Sequence, residues 1–124
     1  MEVIDSKYTI THNRGDKGVL RLLASNTSTG SFKANDVIKF SIVTRDDYAD
    51  VVFQKKFTIP EDCTEFFLTF TNEEMRIGEV ISEKVTYYYE IELNNDTTLL
   101  GAGRKGHKKF ILYPEADDKE EVDS

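Results

Sequence analysis

The side chains with the greatest chemical reach in this 124-residue chain are Cys63, His12 and His107, and their spacing decides what they could do. A nucleophilic thiolate needs a base beside it, and both imidazoles stand far from Cys63 in sequence, so only the fold could assemble a dyad. A loop or buried thiol is the expected role. The single cysteine cannot form an intrachain disulfide, and no Cys/His spacing matches a zinc site. Glu73 and Glu74 are adjacent carboxylates, but Thr71-Asn-Glu-Glu74 has the pattern of a capping box, in which the acid accepts from an amide and transfers no proton. Asp46, Asp47 and Asp50 would offer hard oxygen ligands, yet they complete no calcium loop and read as a solvated hairpin tip.

Two letter patterns need structural context that the chain does not supply. Gly101-Ala-Gly-Arg-Lys-Gly106 matches a dinucleotide fingerprint, whose chemistry requires a helix N-terminus to hold pyrophosphate. A strand-like run follows instead, so the segment reads as a loop joining strands. Arg14-Gly-Asp16 spells an adhesion tripeptide on a predicted turn, where Gly and Asp are ordinary residues. The opening MEVIDSKYT lacks the apolar stretch of a secretory leader, which argues against adhesion and against glycosylation at Asn26 and Asn95. No catalytic residue, metal or cofactor is expected.

The elements that must carry these residues show period-two alternation almost throughout. Ile38, Phe40 and Ile42 share one face of Val37–Val43, and Val51, Phe53, Phe57 and Ile59 share one face of the next run. Lys55 interrupts that second face, marking an edge or a bulge. Thr44 to Asp50, which includes Tyr48, has loop chemistry and makes the pair a hairpin. Phe66, Leu68 and Phe70 face a core while Phe67 and Thr69 take the other side. The capping box predicts a helical turn over 72–76, and Gly78 gives the chain a permissive position before the long run Lys84–Leu93. There Tyr87 and Tyr89 point inward, one in a tyrosine-corner role, and Tyr88 points outward. Asn94-Asn-Asp96 turns the chain into Thr97–Leu100, and Lys108–Tyr113 closes the domain before Pro114. Tyr8–His12 and Val19–Leu23 are the N-terminal strands, and Ser25–Ser31 reads as a polar loop. About eight short strands with one short helical turn describe an all-β, antiparallel β-sandwich spanning residues 1–115 as a single domain.

Composition agrees with a folded chain, at 39% hydrophobic residues with eight Phe and six Tyr. The net charge of -7 is concentrated at one end, because six of the 23 acids and one of the 16 bases lie in residues 115–124. That leaves 15 basic against 17 acidic side chains in the body, so no phosphate-binding footprint is present and nucleic acid is not an expected partner. Arg104, Lys105, His107, Lys108 and Lys109 form a short cluster that reads as a solvated turn. Residues 116–124 are an acidic tail with almost nothing to bury, expected to be disordered. No apolar run approaches the ~20 residues that span a bilayer, so no membrane insertion is expected.

Several segments in order resemble a family of phage and prophage proteins of Gram-positive bacteria, related to the N-terminal domain of siphophage upper baseplate proteins. The carriers are Gly15-Asp16 before the strand from Val19, Asn35–Ile42, Val52–Phe57, Thr71–Gly78, Tyr88–Leu93, Thr97–Gly101 and Lys109–Glu115. Met75 stands where that pattern would have a Thr. The resemblance implies an immunoglobulin-like sandwich without catalysis, made in the bacterial cytoplasm and located in the virion tail. Its implied partners are other tail and baseplate subunits, with further copies of the chain as an additional expectation. Exposed strand edges and Tyr48, Tyr88 and Phe67 are the expected contacts. The alternative expectation is a small carbohydrate-binding β-sandwich module in which tyrosines stack on sugar faces.

Overall fold

The structure, a computed structural model, describes residues 1–5, 7–27, 29–44, 50–79, 81–100 and 108–114. Nine strands are present among them: β1 (Glu2–Val3), β2 (Ile10–Asn13), β3 (Gly18–Leu23), β4 (Val37–Val43), β5 (Val51–Thr58), β6 (Glu65–Phe70), β7 (Val85–Leu93), β8 (Thr97–Leu100) and β9 (Lys108–Tyr113). The larger sheet has the order β1-β2-β9-β7-β4-β5, with β8 also paired to β7, and the smaller sheet is β3-β6.

The alternating residues meet between the two sheets. Ile38, Phe40 and Ile42 of β4 are fully buried, and their register places Phe40 opposite Ile91 and Ile42 opposite Tyr89 of β7. Tyr87 pairs with Phe110 across β7 and β9, extending the same apolar layer. Leu20, Leu22, Leu68 and Phe70 fill the core from the smaller sheet. The Phe70 ring lies 5.1 Å from Phe40, 5.5 Å from Phe57 and 5.9 Å from Phe53, so it joins the sheets through edge and tilted ring contacts. Burying each such side chain is worth about 1.5–3 kcal/mol, which makes this aromatic layer a main source of cohesion.

Four features differ from the expected pattern. The two-residue β1 adds a ninth strand. Tyr8 is excluded from β2 because its backbone turns left-handed at φ 61°, so that strand begins at Ile10. The sheet is not wholly antiparallel, since β2 and β9 run parallel with Asn13 opposite Tyr113. No hairpin links these two strands, so connectivity does not impose an antiparallel direction. The capping box forms and carries the expected single turn, with Met75 N donating to Thr71 O at 3.1 Å and Arg76 N to Glu73 O at 3.2 Å. Met75 and Ile77, within and just after this turn, are both buried in the core. The fourth difference is a 3-10 turn at Ala24–Asn26, which overlaps the stretch expected to be a polar loop.

The corner at Gly78 is tightly made. Its φ is 67°, and a Cβ there would sit 2.9 Å from the Tyr87 hydroxyl, so glycine is required twice over. Tyr87 is the third residue of β7, with its hydroxyl beside Gly78. At the other end of β7, Asn94 and Asn95 take φ 52° and 61°, the left-handed pair that a hairpin turn of the I′ hand needs.

Candidate functional site

His12 and Cys63 are held apart by the smaller sheet. His12 lies near the start of β3, where its Nε2–H donates to Asp16 O at 2.8 Å. Cys63 lies beyond Glu65, which pairs with Leu23 at the far end of β3. At about 3.4 Å per residue, the six residues of β3 put roughly 17 Å between those ends, so the two side chains form no dyad. Burial pushes the His12 imidazole below its ordinary pKa, only partly offset by the Asp16 carbonyl. Cys63 is half-buried, and its main chain bridges Phe32 through hydrogen bonds of 2.7 and 3.0 Å. Among the described residues no three His, Cys, Asp or Glu groups gather as a metal site. His107, Asp46, Asp47, the glycine loop 101–106 and residues 116–124 lie outside the described residues.

Arg14 does not present an adhesion tripeptide. Its side chain is buried and donates through Nε to Ile77 O at 3.1 Å and through Nη2 to Gly78 O at 2.9 Å. The guanidinium therefore fastens the loop before β7. Glu74 accepts from the Thr71 amide at 2.8 Å while its own amide donates to Thr71 Oγ1 at 3.1 Å, which is the reciprocal capping box. The same carboxylate meets Lys55 Nζ at 2.9 Å. Burial alone would raise the Glu74 carboxyl, but hydrogen bonds from Lys55 and Thr71 together hold it below its ordinary value.

Lys55 reaches inward from β5, which is an edge strand as the interrupted apolar face foretold. Its ammonium also donates to Thr69 O of β6 at 2.8 Å and lies over the rings of Phe57 and Phe70. A charge placed there discourages an additional strand from joining this side of the sandwich. The register shift in the hairpin falls between Ile42 and Val43, beside Val52 rather than at Lys55.

Phe67 projects from the outer face of β6 and is 48% exposed. Val19 and Leu23 project from the same face of β3, at 52% and 41% exposed, around an ion pair in which Arg21 Nε donates to Glu65 Oε2 at 2.6 Å. Phe67 was legible from alternation. Val19 and Leu23 were not singled out, although the same alternation, with Leu20 and Leu22 inward, places them beside it. Tyr88 faces away from the core as expected, but it is half-buried between Val43 and Lys109 and contributes less open surface than Phe67. Tyr48 lies outside the described residues. Next to this face, an apolar groove of about 250 Å³ runs between Val3 and Tyr8 on one side and Leu20–Leu23 on the other.

A second concavity, an open trough of about 630 Å³, lies beside β1 and β2. β1 pairs with Ile10 and Thr11 of β2. Met1, Glu2, Asp16, Lys17 and Tyr113 complete the lining. No family model, curated protein or solved structure matches the chain.

Proposed function

We propose that this chain is a non-enzymatic structural module of a phage or prophage tail baseplate, acting through protein–protein contacts. The observation that carries the reading is the apolar row of Val19, Leu23 and Phe67 on the outer face of the sheet formed by β3 and β6, two strands wide among the described residues. Exposed aromatic and aliphatic side chains grouped around one ion pair have the composition of a contact patch. The ordered motifs that resemble upper baseplate proteins supply the biological setting: other tail subunits as partners, and a virion location after synthesis in the bacterial cytoplasm.

An immunoglobulin-like topology is the finer fold assignment within this reading. The sheet order is its support, with β3-β6 facing β9-β7-β4-β5 and a tyrosine at the corner leading into β7. Phe67 is the principal contact, and Tyr88 and Tyr48 are secondary candidates.

Mass spectrometry of purified particles induced from the lysogenic host tests the assignment. Peptides of this chain should be present in intact tails, and Phe67→Asp should fold normally yet lose incorporation. Absence of the wild-type chain from particles would overturn the reading.

A further inference from the structure

We infer that the open edge of β3, with the apolar groove beside it, receives an extended strand from a partner protein. The inward side chains of that strand are apolar, and a carboxylate at its middle faces outward toward Arg21. The inference rests on the assembly reading for the source of the strand, another protein subunit, and on β3 for its chemistry. Register shows which main-chain groups are free. Ala24 N donates to Thr64 O at 2.9 Å, so this pair, one step beyond Leu23 and Glu65, is hydrogen-bonded. Bonded and non-bonded pairs alternate along an antiparallel ladder, so Gly18, Leu20 and Leu22 also bond to β6. Val19, Arg21 and Leu23 then turn their N–H groups away from β6, as Val19 and Arg21 do their carbonyls. No hydrogen bond from a described residue reaches these five groups. The same alternation turns Thr69 O outward on the other side of the pair, where Lys55 takes it.

The ends of the larger sheet are guarded and β3 is not. β1 is two residues long, and β5 holds Lys55 inward. β3 runs six residues in unbroken register with β6, without proline, bulge or inward charge. Main-chain donors and acceptors repeating every 7 Å or so, about two residues of strand, match the spacing of a second polypeptide backbone. A sugar, a lipid or a phosphate carries no such array. The groove takes the alternate side chains of the incoming strand, against Val3, Tyr8, Leu20, Leu22 and Tyr89. Its volume of about 250 Å³ lies below the roughly 300–1,000 Å³ of small-molecule sites.

Charge sets the outward side of the ligand. Among the described residues that line the groove, Arg21 alone is charged. Glu65 engages its Nε and Nη2, which leaves the Nη1 hydrogens for a second carboxylate. The acid therefore belongs on the outward row of the incoming strand, directly opposite Arg21. A second copy of the chain is the poorer occupant. Pairing β3 with its own copy about a two-fold axis through Arg21, the register that uses Val19 to Leu23 in full, sets Arg21 against Arg21. The arrangement is strand addition, in which main-chain bonds give affinity and alternate side chains give specificity.

The test titrates the ¹⁵N-labelled full chain with the acetylated, amidated peptide Lys-Val-Thr-Val-Glu-Val-Thr-Val-Lys, whose valines face the groove and whose glutamate meets Arg21. Amide shifts should saturate with a Kd of about 0.01–1 mM. Hydrogen exchange at Val19, Arg21 and Leu23 should slow about tenfold or more, while Leu20 and Leu22, already bonded to β6, change little. N-methylation of the peptide at the glutamate and both threonines, whose amides face β3, should abolish saturation. N-methylation at the two central valines, whose amides face away, should leave the Kd within about fivefold. Replacing the glutamate by lysine should weaken binding about fivefold or more. No saturation up to about 5 mM, or equal binding by the two methylated peptides, would overturn the assignment. Slowed exchange at the same three amides on concentrating the chain without peptide would give the edge to a second copy and overturn it as well. The assay uses the isolated chain, so its failure leaves the tail assignment standing, and absence of the chain from tails leaves the chemistry of this edge standing.

Discussion

Tyr89 donates its hydroxyl proton to the main-chain carbonyl of Tyr8 at 2.6 Å, tying the centre of β7 to the turn of the N-terminal hairpin. Tyr89 is almost completely buried, and burial pushes its phenol up, so it stays a donor throughout the neutral range. Tyr8 holds a left-handed backbone that an aromatic residue rarely adopts. The Asp5 carboxylate supports the same turn by accepting from the amides of Lys7 and Thr9, both at 3.0 Å. Tyr89→Phe should therefore cost about 1 kcal/mol and speed amide exchange in β1 and β2. Urea denaturation with hydrogen exchange checks both. Unchanged exchange would mean that Asp5 alone holds the turn.

Gly78→Ala should destabilise the domain by about 1–3 kcal/mol, because the new methyl meets a strained φ and the Tyr87 hydroxyl together. Removing that hydroxyl by Tyr87→Phe should recover part of the loss. A double-mutant cycle measures the coupling, and strict additivity would show that backbone strain alone sets the cost.

Lys55→Val should leave folding stability nearly unchanged yet raise the tendency to aggregate. The Lys55–Glu74 pair is 27% and 30% exposed, so its loss costs about 1 kcal/mol at most and added apolar packing offsets it. What disappears is the inward charge guarding the opening between β5 and β6. Light scattering during incubation at raised temperature reads the difference, and equal scattering from the two proteins would refute the protective role.

Acidification should lower stability in two separate windows. The unfolded chain carries His12 at its ordinary pKa of 6.5, whereas the folded imidazole lies lower. Between those values the unfolded state binds more protons, so stability is full above 6.5 and is lost as pH falls toward the folded value. His12→Gln should flatten this first decline. Glu74 is depressed below 4.5 and Asp5 below 3.8, so their contributions persist above those values and are lost only as the pH drops through the lower folded ones. Denaturation midpoints measured from about pH 7.5 to 3 separate the windows.

Strand positions were legible wherever side-chain alternation and turn chemistry agreed. β4, β8 and β9 fall on their expected residues, and Lys55 marked an edge strand because a cation within an apolar face is tolerated where solvent is near. Local pattern could not show the parallel pairing of β2 with β9, since residues some hundred positions apart share no short-range signal. Nor could it reveal Tyr8, whose aromatic side chain favours extended backbone until Asp5 and Tyr89 hold it otherwise. The trough was equally hidden. Its lining residues come from the N-terminal segment and from β9, which no short-range pattern joins.

That parallel pairing has a mechanical meaning. Once tension peels β1 away, a pull on the chain at both sides of the domain acts on the leading end of β2 at Ile10 and the trailing end of β9 at Tyr113, at opposite ends of two neighbouring strands that run the same way. Their hydrogen bonds are then loaded together in shear instead of being opened one by one. Single-molecule stretching should register one high rupture force at this seam, a useful property for a part of any machine that must transmit a pull without coming apart.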